Sequence, residues 1–147
     1  MPLPLIEDES QLLAMPEGAY MNEAQLDFFR RRLLAEQAEL EAALEETRRT
    51  IVDSRGAGDE ADLAANEETL RLLLRQADRE TRLLRKIVGT LKRLNEGGDV
   101  QGYGFCEETG APIGLRRLLL RPTATLCLEA KQRQEQREHH YARRHSA

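Results

Sequence analysis

D53-S-R-G-A-G-D-E-A-D62 carries two glycines and four carboxylates, with only two alanines as apolar residues, so helical periodicity stops here and an exposed turn is predicted. On its N-terminal side, Asn22 followed by Gln25 reads as a capping box. Leu26, Leu33, Leu40, Leu44 and Ile51 then recur at seven- and four-residue steps on one helical face. On its C-terminal side the pattern resumes from Leu63 as Leu70, Leu73, Ala77, Leu84, Ile87, Leu91 and Leu94, broken only by Glu80. Two arms of about 30 residues joined by so short a turn pair antiparallel, and at about 1.5 Å per residue each reaches roughly 45 to 50 Å.

Outward from the arms the chain changes character. Residues 1 to 21 mix Pro2, Pro4 and Pro16 with Leu3, Leu5, Ile6, Leu12 and Leu13, too apolar for a free tail and too broken for a long helix, so they are expected to pack on something. Gly89 weakens the second arm by about 1 kcal/mol relative to Ala, and N95-E-G-G-D-V-Q-G-Y-G104 ends it. Residues 105 to 122 form a compact segment, and Pro122 with Thr123 marks the start of a terminal helix running to about Tyr141. The predicted architecture is therefore all-α. It consists of an N-terminal segment (1–21), an antiparallel coiled-coil hairpin (22–95, tip 53–64), a hinge (96–104), and a region with a degenerate zinc-finger-like loop and a C-terminal helix (105–147).

Composition narrows the function. A chain of 147 residues holds one modest core, which leaves no room for a multidomain enzyme. With 33% charged residues, 4% aromatic residues and no Trp, the sequence suits long helices and excludes a bulky aromatic core. Residues 1–66 carry 6 basic and 15 acidic side chains against 16 and 11 in residues 67–147, so the two halves suit different partners. A net charge of −4 argues against a general nucleic-acid binder. The opening M-P-L-P-L-I-E-D-E-S-Q-L-L has no basic n-region, and no apolar run is long enough to span a bilayer, which points to a cytoplasmic protein. No Ser-His-Asp, Cys-His or phosphate-loop arrangement marks an enzyme.

The two cysteines carry the metal question. Cys106 and Cys127 stand where two C-x2-C knuckles would begin, in C106-E-E-T and C127-L-E-A, but Thr109 and Ala130 hold the second positions. Structural zinc requires four N or S donors, so two thiolates do not close a site. Glu107, Glu108 or a histidine from 139–145 are the remaining donors for a weaker one. Otherwise Phe105, Ile113, Leu115 and Leu118, with the thiols packed as small hydrophobes, would hold the loop without metal. In a reducing compartment a structural disulfide between the cysteines is not expected. Asp59 and Asp62 suit the N-terminus of the second helix, where each contributes about 0.3 to 1 kcal/mol. Carried at the end of a long lever, they are equally placed to enter another molecule's cavity.

D59-E-A-D62-L-A64, R79-E-T-R-L-L-R-K86-I, and above all G110-A-P-I113-G114-L-R-R117-L118-L-L-R121-P-T-A124-T-L-C127 resemble the DksA/TraR family over roughly residues 22–138. The resemblance implies a monomeric transcription regulator of the stringent response, without sequence-specific DNA binding. Such a protein inserts its coiled coil into the secondary channel of RNA polymerase and destabilises promoter open complexes together with guanosine tetraphosphate (ppGpp). By position it assigns Asp59, Asp62 and Ala64 to the tip that works near the polymerase active site. It assigns Arg79, Lys86, Arg121 and Lys131 to a ppGpp site shared with polymerase. The family's four zinc cysteines become Cys106, Thr109, Cys127 and Ala130, a pattern similar to zinc-independent members, so no cofactor is expected to be required. Two other readings stay open: a Gre-like transcript-cleavage accessory factor, which would carry a β-rich C-terminal domain, and a structural coiled-coil adaptor.

Overall fold

The structure is a computed structural model that describes residues 4–56, 63–96 and 102–145, with the backbone alone for residues 63–65. Its element order is α1 (Glu9–Leu13), a 3-10 turn (Glu17–Ala19), α2 (Glu23–Gly56), α3 (Leu63–Glu96), α4 (Leu115–Leu120) and α5 (Leu128–His145). The fold is all-α. Among the described residues the one extended pairing is an isolated antiparallel bridge between Phe105 and Pro112. The chain divides into two compact units, one of residues 32–91 and one of residues 1–31 with 92–147.

The 32–91 unit is the hairpin. Leu33, Leu44 and Ile51 of α2 and Ile87 and Leu91 of α3 are buried, while Leu40, Leu70, Leu73 and Leu84 of the same seam are only half-buried. A two-helix pair has no third element to cover its seam, so the heptad positions close completely only where larger neighbours meet. Glu80, the exception in the apolar column, is 6% exposed and sits in that seam. Its Oε1 lies 2.9 Å from the Thr47 hydroxyl, which is also 2.9 Å from the Ala43 carbonyl and accepts from Gln76 Nε2 at 3.3 Å. Glu80 Oε2 has no partner among the described residues. A buried carboxyl oxygen left unpaired costs about 1 to 3 kcal/mol. Glu80→Leu is therefore expected to raise stability by about that amount, read as a higher urea midpoint at unchanged m.

Three residues expected in the turn belong to a helix instead. Asp53, Ser54 and Arg55 continue α2, which ends at Gly56, so the boundary falls where the backbone rather than the charge pattern breaks. Asp59 and Asp62 lie outside the described residues, and of Ala64 only the backbone is described.

In the other unit, α2 starts on a displaced version of the predicted box. Asn22 Oδ1 accepts from Gln25 N at 2.9 Å, but Gln25 Oε1 accepts from Met21 N rather than from Asn22 N. The N-terminal segment folds into α1 and the 3-10 turn, burying Ile6 and Leu12.

Two expectations are corrected here and one is refined. The terminal helix begins at Leu128, not at Pro122, because the 121–127 backbone is committed elsewhere. Pro122 O accepts from the Tyr103 hydroxyl at 2.7 Å, Thr125 O from Glu107 N at 2.8 Å, and Leu126 O from Arg117 Nε at 3.0 Å. The 105–122 segment contains a helix of its own, α4, set off by Gly114 at φ 100°. An aromatic cluster does exist: Phe28 meets Phe29 edge-on at 5.3 Å, Phe29 meets Tyr103 at 5.6 Å, and Tyr20 meets Phe105 edge-on at 5.5 Å. Five of the six Phe and Tyr residues thus gather in one small unit, which a chain-wide percentage conceals.

Candidate functional site

The finger-like loop is a tight knuckle. Cys106 N donates to Ala111 O at 2.8 Å, and Gly110, at φ 75°, returns its N–H to Cys106 O at 2.8 Å. Gly104 closes the loop at φ 92°. A Cβ there would stand 2.6 Å from the Met21 side chain, so only glycine fits.

Cys106 is buried, Cys127 half-buried, and both thiols are free. Thr109 Oγ1 lies 3.9 Å from Cys127 Sγ and accepts from Ala111 N at 3.2 Å. Ala130, wholly buried, presents a methyl group where a fourth donor would stand. No group of three His, Cys, Asp or Glu residues among those described is arranged to hold a metal ion. Glu107 pairs with Arg93 at 3.0 Å, and Glu108 faces Arg133 and Arg137 at 3.8 and 3.6 Å. His140 lies on an exposed hollow of α5, and the His145 ring leans on Tyr141, tilted by 59° at 4.3 Å between centroids. Both glutamates are engaged with arginines, and two thiols, one hydroxyl and a methyl do not fit tetrahedral zinc.

The sulfur environment still bears the imprint of an anion site. Burial pushes the Cys106 thiol up, but hydrogen bonds from the Thr109 hydroxyl and from the backbone at Cys127, Thr109 and Glu108 outweigh it, bringing the thiol from 9.0 down to about 6. A folded value below the unfolded one means that folding is favoured most above about pH 9. That contribution shrinks as pH falls and is gone below about 6. The urea midpoint is expected to rise between pH 6 and 9, and Cys106→Ala to flatten that rise.

What holds the loop was only partly legible. Ile113 and Leu118 are buried as expected, with Leu115 and Phe105 half-buried. The residues missed are Tyr20 and Tyr103. The Tyr20 hydroxyl donates to Gly104 O at 2.5 Å and accepts from Gly114 N at 2.9 Å, spanning both ends of the loop. Burial raises its ionisation above the usual phenol value, against the pull of Gly114 and Ile113, so it stays a neutral donor. Their only sequence signal was two tyrosines flanking glycine-rich or helix-start positions.

Of the basic positions, Arg79 and Lys86 stand exposed two turns apart on α3, about 10 Å along the axis and on one face. Arg121 is exposed, and Lys131 is half-buried with Nζ donating to Gln134 Oε1 at 3.2 Å. The first pair belongs to the hairpin unit and the second to the other.

Known proteins match both parts. The family described as DnaK suppressor protein DksA, N-terminal domain, matches residues 25–94, and the prokaryotic dksA/traR C4-type zinc finger matches residues 101–136. The RNA polymerase-binding transcription factor DksA of Caulobacter vibrioides (strain NA1000 / CB15N) is 39% identical over 138 residues, covering 91% of this chain and 92% of that protein. The protein of the same name from Escherichia coli K12 is 43% identical over 124 residues, covering 84% and 80%. The solved structure of transcription factor DksA2 from Pseudomonas aeruginosa superposes with a TM-score of 0.82 at 55% identity, over 90% of this chain and 99% of that one. With both halves matched in order and relatives aligned along nearly the whole length, the chain belongs to the DksA/TraR family.

Proposed function

We propose that this protein regulates transcription by binding RNA polymerase, entering its secondary channel with the acidic turn between α2 and α3 and destabilising promoter open complexes. The observation that carries the reading is the pairing of two 34-residue helices around that turn, in a chain whose relatives are named RNA polymerase-binding factors. Helices of that length extend about 50 Å, and a turn so far along them contributes little to a core. Asp59 and Asp62 are its working carboxylates and Ala64 their small neighbour. Arg79, Lys86, Arg121 and Lys131 bind ppGpp together with polymerase, through charge-assisted hydrogen bonds to phosphate. The protein acts as a monomer in the cytoplasm, without catalysis of its own and without sequence-specific DNA contacts. Among the described residues no helix is long and apolar enough to cross a membrane.

Zinc is not required in this reading. Support for it comes from the hydrogen bonds of Tyr20 and Tyr103, the Glu107–Thr125 backbone bond, and the burial of Ile113, Leu118 and Ala130, which hold the loop by themselves. A Gre-like reading is disfavoured because the region after residue 102 consists of α4, α5 and a single isolated bridge among the described residues. The test is transcription from a ribosomal RNA promoter with purified polymerase, ppGpp and excess chelator. The expected result is inhibition that chelator leaves unchanged; a folded protein that does not inhibit refutes the reading.

A further inference from the structure

The proposed function leaves Cys106 and Cys127 without a task, yet the loop holds them as a pair. Cys106 lies in the knuckle closed by Ala111 and Gly110, and Cys127 stands directly before α5, where its carbonyl accepts from Lys131 N at 3.0 Å. The Glu107 N to Thr125 O bond, at 2.8 Å, ties the two backbones together one residue after Cys106 and two before Cys127. The Thr109 hydroxyl reaches both thiols: it donates to Cys106 and lies 3.9 Å from Cys127 Sγ. The backbone N–H of Cys127 is itself a donor to Cys106, so the two sulfurs are neighbours around one hydroxyl.

Burial alone would suit a thiol packed as a small hydrophobe. Cys106 is 1% exposed, but backbone donors at Glu108, Thr109 and Cys127 and one hydroxyl point at its sulfur, which are the surroundings of a thiolate. The thiolate is the form that binds metal. Zinc takes four donors, and the wholly buried Ala130 offers a methyl where the fourth would stand. A soft monovalent cation with a filled d shell asks for less. Two thiolates satisfy it, soft sulfur is the ligand it prefers, and an apolar wall keeps out water and harder ions. Glu107 and Glu108, the carboxylates nearest in sequence, are paired with Arg93, Arg133 and Arg137, which keeps these harder donors engaged.

We propose that Cys106 and Cys127 form a two-thiolate site for one soft monovalent cation of the copper(I) type, with the Thr109 hydroxyl as its hydrogen-bonding neighbour. On binding, both thiols release their protons to water, two sulfur–metal bonds form, and no electron is transferred. Half-buried Cys127 is the way in, and Cys106 is the buried end of the site. The ion cross-links the first knuckle to the start of α5. Because the folded chain alone holds both sulfurs together, binding stabilises it over the unfolded one.

The test uses the full chain, reduced and free of oxygen, titrated into copper(I) held by a coloured chelator such as bicinchoninate. The parent is expected to withdraw one copper(I) per chain, to show two sulfur neighbours of the metal by X-ray absorption, and to gain a higher urea midpoint on loading. Zinc at the same concentration is expected to stay in solution. Cys127→Ser, at a half-buried position, is expected to weaken binding about a hundredfold or more, since it removes a ligand itself. Thr109→Val keeps the volume and removes the hydroxyl, and is expected to weaken binding about tenfold at unchanged stoichiometry. Helical circular dichroism without metal checks that each variant is folded. A folded parent that withdraws no copper(I), or a Cys127→Ser chain that withdraws as much as the parent, overturns the proposal. One ion per two chains, in a dimer that forms only on loading, makes the metal an intermolecular bridge and overturns it as well. A parent that takes up zinc as tightly as copper(I) overturns the assignment to a soft cation. None of these outcomes bears on the polymerase reading, whose assay runs in excess chelator.

Discussion

Replacing Thr109 and Ala130 together by cysteine is expected to make the protein bind one zinc ion per chain and to make its stability depend on chelator, as the parent's does not. The backbone for a four-cysteine site is already in place. Cys106 sits in a knuckle closed by Gly110, the Glu107–Thr125 bond ties that knuckle to the second, and α5 begins directly after Cys127. Without metal the variant should be less stable than the parent by about 1 to 3 kcal/mol, because Ala130 is fully buried and an added sulfur overfills its site. With zinc at about a thousandfold over its dissociation constant, binding to the folded state alone adds about 4 kcal/mol. The order of stabilities therefore inverts: variant below parent in chelator, variant above parent in zinc. Thermal melts in the two conditions, with bound zinc measured by atomic absorption, check both halves. A parent that itself loses stability in chelator, or a variant that takes up no zinc, would show that the knuckles are not arranged as described.

The hairpin was legible because its signals are local and repeated: a heptad column on each side of a glycine-bearing acidic turn. The small unit was less so. Tyr20 reaches Gly104 and Gly114, 84 and 94 residues away, and no spacing rule links them. Pro122 is a good helix starter by itself, but its carbonyl is claimed by Tyr103, and that tertiary demand displaces the start of α5 by six residues. The low aromatic fraction misled for a related reason: composition averages over a long polar hairpin that needs no aromatics and a compact unit that concentrates them. Glu80 was visible as a break in the pattern, although its burial and its unpaired Oε2 were not. For the candidate sites, the metal remnant was readable from two missing cysteines.

Asp62→Asn is expected to abolish inhibition of a ribosomal RNA promoter while leaving affinity for polymerase core within about twofold of the parent. The substitution keeps shape and removes one charge. It acts on any partner that reads the carboxylate, where a charge-assisted hydrogen bond contributes about 1.5 to 3 kcal/mol, a tenfold to hundredfold effect on the step it controls. It leaves untouched the rest of the hairpin and the whole of the second unit. Asp59→Asn should show a smaller loss in the same direction. Stability offers a built-in control: as a helix N-terminal charge Asp62 contributes at most about 1 kcal/mol, so a merely structural role would lower the melting midpoint slightly and leave inhibition intact at temperatures well below it. If Asp62→Asn inhibits like the parent, the tip does not act through this carboxylate. If it loses binding and inhibition together, the tip is an affinity determinant rather than an effector, and the division of labour between tip and base is wrong.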